Sequence, residues 1–169
     1  MNPRPHSRTT GVSILGMLLA IPMLLLILLF LAIGFYEARK AYWDYQVREL
    51  CAKDGGIRVY ETITLPPTEY ERFAKRNWIF PNKKEANPTD TYYYVVDIHY
   101  YRDWNPQVSR QQYFVVRNSD GKVLGASTRY GRGGGDIPGP WHPSSFTCPK
   151  ISKDIPSIES SIFAMGGAK

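Results

Sequence analysis

From Thr9 to Tyr36 the chain runs for 28 residues without a charged side chain, and nothing else in it constrains the fold as strongly. The central part, Val12 to Phe35, reads VSILGMLLAIPMLLLILLFLAIGF. A helix rises about 1.5 Å per residue, and about 20 apolar residues cover the hydrocarbon core of a bilayer. This stretch of 24 therefore spans with some tilt. Pro22 kinks such a helix near its N-terminal end without preventing a span. A cleaved secretory signal would share the basic start at Arg4 and Arg8, and Ala32-Ile33-Gly34 would serve as its cleavage site. Its apolar region is only about 7–15 residues long, however, so the length here favours an uncleaved anchor. Gly34-Phe35 is not a prepilin site, because the apolar helix precedes the glycine instead of following it. Arg48 and Glu49 occupy the small-residue positions that lipoprotein acylation at Cys51 would need.

The remaining organisation follows from this anchor. The expected parts are a basic tail at 1–11, a transmembrane helix at 12–36 in contact with the lipid bilayer, and a juxtamembrane stalk helix at 37–52. An α+β domain at 53–150 and a C-terminal tail at 151–169 complete the chain. Tyr36, Tyr42 and Trp43 suit the aromatic belt at the membrane–water boundary, although Trp43 and Val47 equally suit docking of the stalk onto the domain. Lys and Arg counts flanking the span are balanced or slightly favour a cytoplasmic C-terminal domain. The short basic N-tail and the two cysteines, both in the soluble part, favour a periplasmic domain over a cytoplasmic one. Beyond Tyr36, 19 Lys/Arg face 15 Asp/Glu, and the basic residues are scattered instead of forming a stripe. No nucleic-acid partner is expected.

In the soluble part, Asp54-Gly55-Gly56 ends the stalk. Ile57 to Leu65 alternates apolar and polar residues as one half-buried strand does. Pro66-Pro67 leads into a short helix to about Asn77, with Thr68 and Glu71 spaced as a capping box. Thr91–Arg102, Val108–Asn118 and Lys122–Tyr130 are rich in aromatic and β-branched residues, and Asp120-Gly121 marks a hairpin. The expected fold class is α+β: a small antiparallel sheet of about four strands, the Ile57 strand at an edge, with one short helix on a face. Ile155, Ile158, Ile162 and Met165 lie at helical intervals and suggest a short amphipathic helix.

Chemistry-bearing patterns are few. Tyr130 to Pro149 (YGRGGGDIPGPWHPSSFTCP) opens glycine-rich but lacks GxxxxGK[ST] and a following helix, so it is read as an ordered strap across the sheet, anchored by Trp141 and Phe146, and not as a phosphate cradle. Asp136, His142 and Ser144 are the residues of a hydrolase triad, the alternative functional reading, but no GxSxG elbow accompanies them. Asp97 and His99 share a strand face; with no third ligand, a structural Asp–His hydrogen bond is favoured over a metal site. No cofactor or metal is called for. Cys51 and Cys148 bracket the domain and have no CxxC partner. In an oxidising compartment they form a disulfide, in the cytoplasm two free thiols. The tyrosines exceed what a core requires. Tyr92, Tyr94, Tyr100, Trp104 and Trp141 are therefore candidates for a protein-binding surface, where aromatic residues bury area at little rotamer cost.

CAKDGG…VYE (Cys51 to Glu61) and DGKVLG…YGRGGGD-PGPWHPSSFTCP (Asp120 to Pro149) resemble a group of uncharacterised single-pass bacterial membrane proteins. The resemblance covers most of 40–150. It implies an envelope setting and carries no catalytic residue. The expected function is a membrane-anchored, non-catalytic interaction module that binds another envelope protein, as an assembly accessory, exclusion factor or immunity protein. If Val12–Phe35 is an uncleaved anchor, the protein should stay with membranes through alkaline carbonate extraction. N-terminal sequencing of a soluble form beginning at Phe35 would contradict this.

Overall fold

The computed structural model describes residues 14–150 and 157–167. The basic tail, with Arg4 and Arg8, and Ile155 lie outside the described residues. Helix α1 runs unbroken from Ile14 to Asp54, through Pro22, for 41 residues and therefore about 60 Å. From Leu18 to Phe35 it is exposed and apolar. Its second half, beyond Tyr36, lies against the domain, so the stalk and the candidate span are a single rod. The helix stops where Gly55 folds its N–H back onto the Cys51 carbonyl at 2.8 Å. A Cβ on Gly55 would come within 2.7 Å of the Cys51 sulfur, and Gly56 takes a φ of +108° that favours glycine.

The domain is α+β. Strands β1 (Gly56–Val59), β3 (Tyr92–Arg102), β4 (Gln107–Arg117), β5 (Val123–Gly133) and β6 (Ser145–Cys148) form one antiparallel sheet. Its order is β1-β5-β4-β3, with β6 also paired to β5. The Asp120-Gly121 turn joins β4 to β5 as expected. Along the outer edge of β5, β1 pairs with Gly125–Thr128 and β6 with Tyr130–Gly133, so two short strands lie end to end beside one long one. The expected strand 57–65 is in fact two. After Val59 the chain turns away, held by Tyr60 and Glu61 N–H groups on the Leu124 carbonyl. Residues Ile63–Leu65 then form β2, parallel to β7 (Phe163–Met165). The alternation survives this break because Ile57, Ile63 and Leu65 all serve the same core.

That core lies on the sheet face away from α1. Leu65, Phe80, Tyr92, Val115, Leu124, Ile158, Ile162 and Phe163 are buried in it. Helix α2 (Pro67–Lys75) covers it with Tyr70 and Phe73. The capping box is not formed: α2 begins at proline, with Pro66 as N-cap and no side-chain cap bond. Proline suits this first turn because its absent N–H would have no helical partner there. Left-handed Asn77 and Trp78, at φ of 51° and 57°, end the turn. They return Trp78 to stack on Phe163 at 5.2 Å.

Residues 158–163 belong to the domain core, which corrects the domain boundary drawn at 150. Helix α3 (Ile158–Ile162), capped by the Ser157 hydroxyl on the Ser160 N–H, drives Ile158 and Ile162 into the core, and β7 follows directly. Met165, expected on an apolar helix face, is on β7 and exposed. Phe163–Met165 are strand and not helix because β2, the second half of the expected 57–65 strand, pairs with them. Because Ile162 is fully buried, Ile162→Ala should lower unfolding stability by about 2–5 kcal/mol through lost contacts and a cavity. Denaturant titration checks this; a loss like that of an exposed site would refute the core assignment.

Candidate functional site

Three places bear on function: the clamp between α1 and the sheet, the strap after β5, and the outer edge of β3. At the clamp, Val47, Cys51, Val108 and Tyr130 form a second buried cluster, joined by Trp43, Leu50 and Phe146. Polar contacts fix the register of helix and strand. The Tyr130 hydroxyl donates to Asp54 at 2.6 Å, Arg132 Nε to Asp44 at 2.5 Å, and Lys40 Nζ to Asp136 at 3.1 Å. Arg39 donates to the Asn105 carbonyl. Burial, then the Asp54 carboxylate, pushes the Tyr130 phenol above its ordinary range. Cys51 and Cys148 are disulfide-bonded, with Cα atoms 5.9 Å apart, well within bridging distance. The bond closes a sequence separation of 97 residues, stabilising by up to about 4.7 kcal/mol in the chain-entropy model.

Arg132 is the most demanding group. It is 4% exposed, and a buried guanidinium without partners would be strongly destabilising. Besides Asp44 it meets the Gly134 carbonyl and, at 3.2 Å, the Ser144 hydroxyl oxygen. Ser144 in turn donates its backbone N–H to Asp136 at 2.6 Å and its hydroxyl to the same carboxylate at 2.9 Å. The Ser144 N–H foremost, with its hydroxyl and Lys40, lowers the Asp136 pKa to about 2. Among the described residues no hydrogen bond joins His142 to Ser144 or Asp136, and its side chain is exposed. The strap thus brings Asp136 and Ser144 together as a turn-closing pair, without the histidine that would take the serine proton in a hydrolase. Residues Ser145–Cys148 of the strap are a strand, a point the proline-rich sequence concealed. Asp97 pairs loosely with Arg110 at 3.6 Å and His99 packs edge-on against Tyr101, so the expected Asp97–His99 bond is not formed. Among the described residues no group of three His, Cys, Asp or Glu side chains is placed to hold a metal.

The aromatic candidates divide. Tyr92 is buried in the main core, and Tyr94 is half-buried, stacked on Tyr113 at 5.0 Å. Both serve packing, not recognition, because α2 and β7 cover their face. Tyr100, Trp104 and Trp141 are exposed, 49%, 66% and 53% respectively. Ile98 joins them as an exposed residue outside the expected set, its apolar alternation with Tyr94 and Val96 being the available signal, and Tyr101 is exposed as well. Of the expected interface aromatics, Tyr42 is exposed while Trp43 docks on the domain, with the Arg102 guanidinium 5.0 Å from its ring centroid. The same guanidinium lies 3.3 Å from the Trp104 centroid.

The β3 edge is covered only at one end among the described residues. Tyr94 donates its N–H to the Pro81 carbonyl and accepts from the Lys83 N–H, so its backbone points away from β4. By the two-residue period of a strand, Val96, Ile98 and Tyr100 present theirs the same way. A separate cleft of about 750 Å³ opens between β1, β5 and α3, lined by Ile57, Tyr113, Arg129 and Glu159. Burial first, and Glu159 second, push the Tyr113 phenol upward. No family model, curated protein or solved structure matches the chain. One substitution tests the clamp. Asp44→Ala strips Arg132 of its carboxylate and should destabilise by about 3–5 kcal/mol, whereas the double variant Asp44→Leu/Arg132→Met should recover most of that loss. Equal melting of wild type and Asp44→Ala would refute the clamp.

Proposed function

We propose that the chain is a membrane-anchored, non-catalytic interaction module of the bacterial envelope, which takes an extended segment of another envelope protein along the free edge of β3. The observation that carries this reading is the row of outward backbone groups at Val96, Ile98 and Tyr100, flanked by the exposed side chains of Ile98 and Tyr100. An incoming strand would satisfy those donors and acceptors and gain apolar contact on alternate residues, the usual mode of strand addition. Uncovered strand edges of this kind are ordinarily blocked in soluble proteins. The Cys51–Cys148 disulfide supports an oxidising compartment and hence a periplasmic domain. The apolar half of α1 supports attachment to the cytoplasmic membrane, and the motifs around Cys51 and Asp136 support the bacterial setting. Ile98 and Tyr100 would form the apolar part of the contact.

Proline scanning separates edge recognition from folding. The Ile98 N–H faces outward, so Ile98→Pro removes a donor that the sheet does not use. The Asp97 N–H faces β4, so Asp97→Pro removes a ladder bond. With a photo-crosslinker at Tyr100 in intact cells, Ile98→Pro should abolish the crosslinked species while the melting temperature stays near wild type. Asp97→Pro should lower both. Persistence of the same crosslink in folded Ile98→Pro protein would exclude strand addition at this edge.

A further inference from the structure

We propose that the domain does not stand clear of the bilayer but is seated on it, with the β3–β4 and β5–β6 turns set among the lipid headgroups through Trp104 and Trp141. The inference rests on reading residues 12–36 as a membrane span.

Because α1 is unbroken, height above the span can be counted along it. Strand β5 runs antiparallel to that helix: Tyr130 meets Asp54, Arg132 meets Asp44, and Asp136 meets Lys40. Each step along β5 descends towards the membrane end, so the turn from Gly134 to Ser144 is the lowest part of the domain on that side. Strand β3 is parallel to β5, both being antiparallel to β4, and its turn into β4 descends likewise. There the Asn105 carbonyl receives Arg39. Lys40 lies five residues past Phe35, about 7–8 Å along the axis. The polar layer on each side of a bilayer is about 5–7 Å thick. Both turns therefore reach the headgroup level.

Their composition fits that place. Each carries one exposed tryptophan, the residue most suited to the membrane–water boundary, where an apolar ring and a polar N–H are both accommodated. Trp104 is held on the Arg102 guanidinium. Trp141 folds over Gly139, where a Cβ would overlap its ring. Arg39 and Lys40 donate to the Asn105 carbonyl and the Asp136 carboxylate, and so hold both turns at that height on the helix.

The test uses the full chain reconstituted into vesicles of phosphatidylethanolamine and phosphatidylglycerol, doped with a lipid bearing a nitroxide either on its headgroup or at the end of its tail. Headgroup nitroxide should quench a large part of the tryptophan emission. The double variant Trp104→Phe/Trp141→Phe should lose most of that quenching, while tail-end quenching changes little. Equal headgroup quenching in parent and double variant, with the protein still floating with the vesicles, overturns the seat and leaves the anchor intact. A chain that fails to float overturns the anchor and the seat together. Trp104 and Trp141 shielded from both nitroxide lipid and aqueous acrylamide would also overturn the seat, since protein would then cover them. Retention of the disulfide in each variant, read by thiol labelling, confirms that folding is intact.

Discussion

A guanidinium cannot be left unpartnered in a protein interior, and Arg132 imposes that condition on this domain. Its partners come from three places: Asp44 on the helix, Gly134 just past the end of β5, and Ser144 just before β6. Satisfying it therefore fixes the slide of α1 along β5, the path of the strap, and the start of β6 at once. The hydrophobic cluster around Val47 and Val108 supplies the attraction between helix and sheet but is indifferent to register. The ion pair and the disulfide supply the register. They lie seven residues apart on α1, Asp44 and Cys51, two turns along one face.

The two faces of the sheet are consequently put to different uses. One carries the aromatic core under α2 and α3, with Phe163 at its centre among Phe73, Trp78, Phe80 and Tyr92. The other carries the helix that leads to the candidate span. The long edge of β5 is closed by β1 and β6 together, and among the described residues the Pro81–Lys83 segment closes β3 only at Tyr94. Polar protection is sparse beyond that point: Asp97 and His99 alternate with Ile98 and Tyr100, so the edge retains solubility on one face and apolar surface on the other.

Much of the fold was legible because its signals are local. An uncharged run states its own helical length, and Asp120-Gly121 states its own turn. Alternating residues from Thr91 to Tyr130 state three strands whatever surrounds them. The features that escaped depend on partners distant in sequence. Ile158, Ile162 and Phe163 have the spacing of a surface helix, and only β2, about 100 residues earlier, makes part of that segment a strand. Tyr92 and Tyr94 were equally suited to surface or core until α2 and β7 covered one face of β3. Thr68 had the right spacing for a cap, but Pro67 had already supplied the start of the helix. In the strap, Asp136 and Ser144 were recognised as polar residues worth uniting. Their union is a loop closure because Lys40 and Arg132, both outside the local motif, set its electrostatics.

The bond between Cys51 and Cys148 has a mechanical consequence. It converts residues 51–148 into a covalent ring, with the apolar rod leaving at one side of the bond and the C-terminal segment at the other. Tension drawn between the rod and Pro149 would pass straight across the two sulfur atoms. The ladders of β3, β4 and β5 would lie outside the line of force. Such a ring can be pulled against a moving partner without being unzipped, so long as the compartment keeps the bond oxidised.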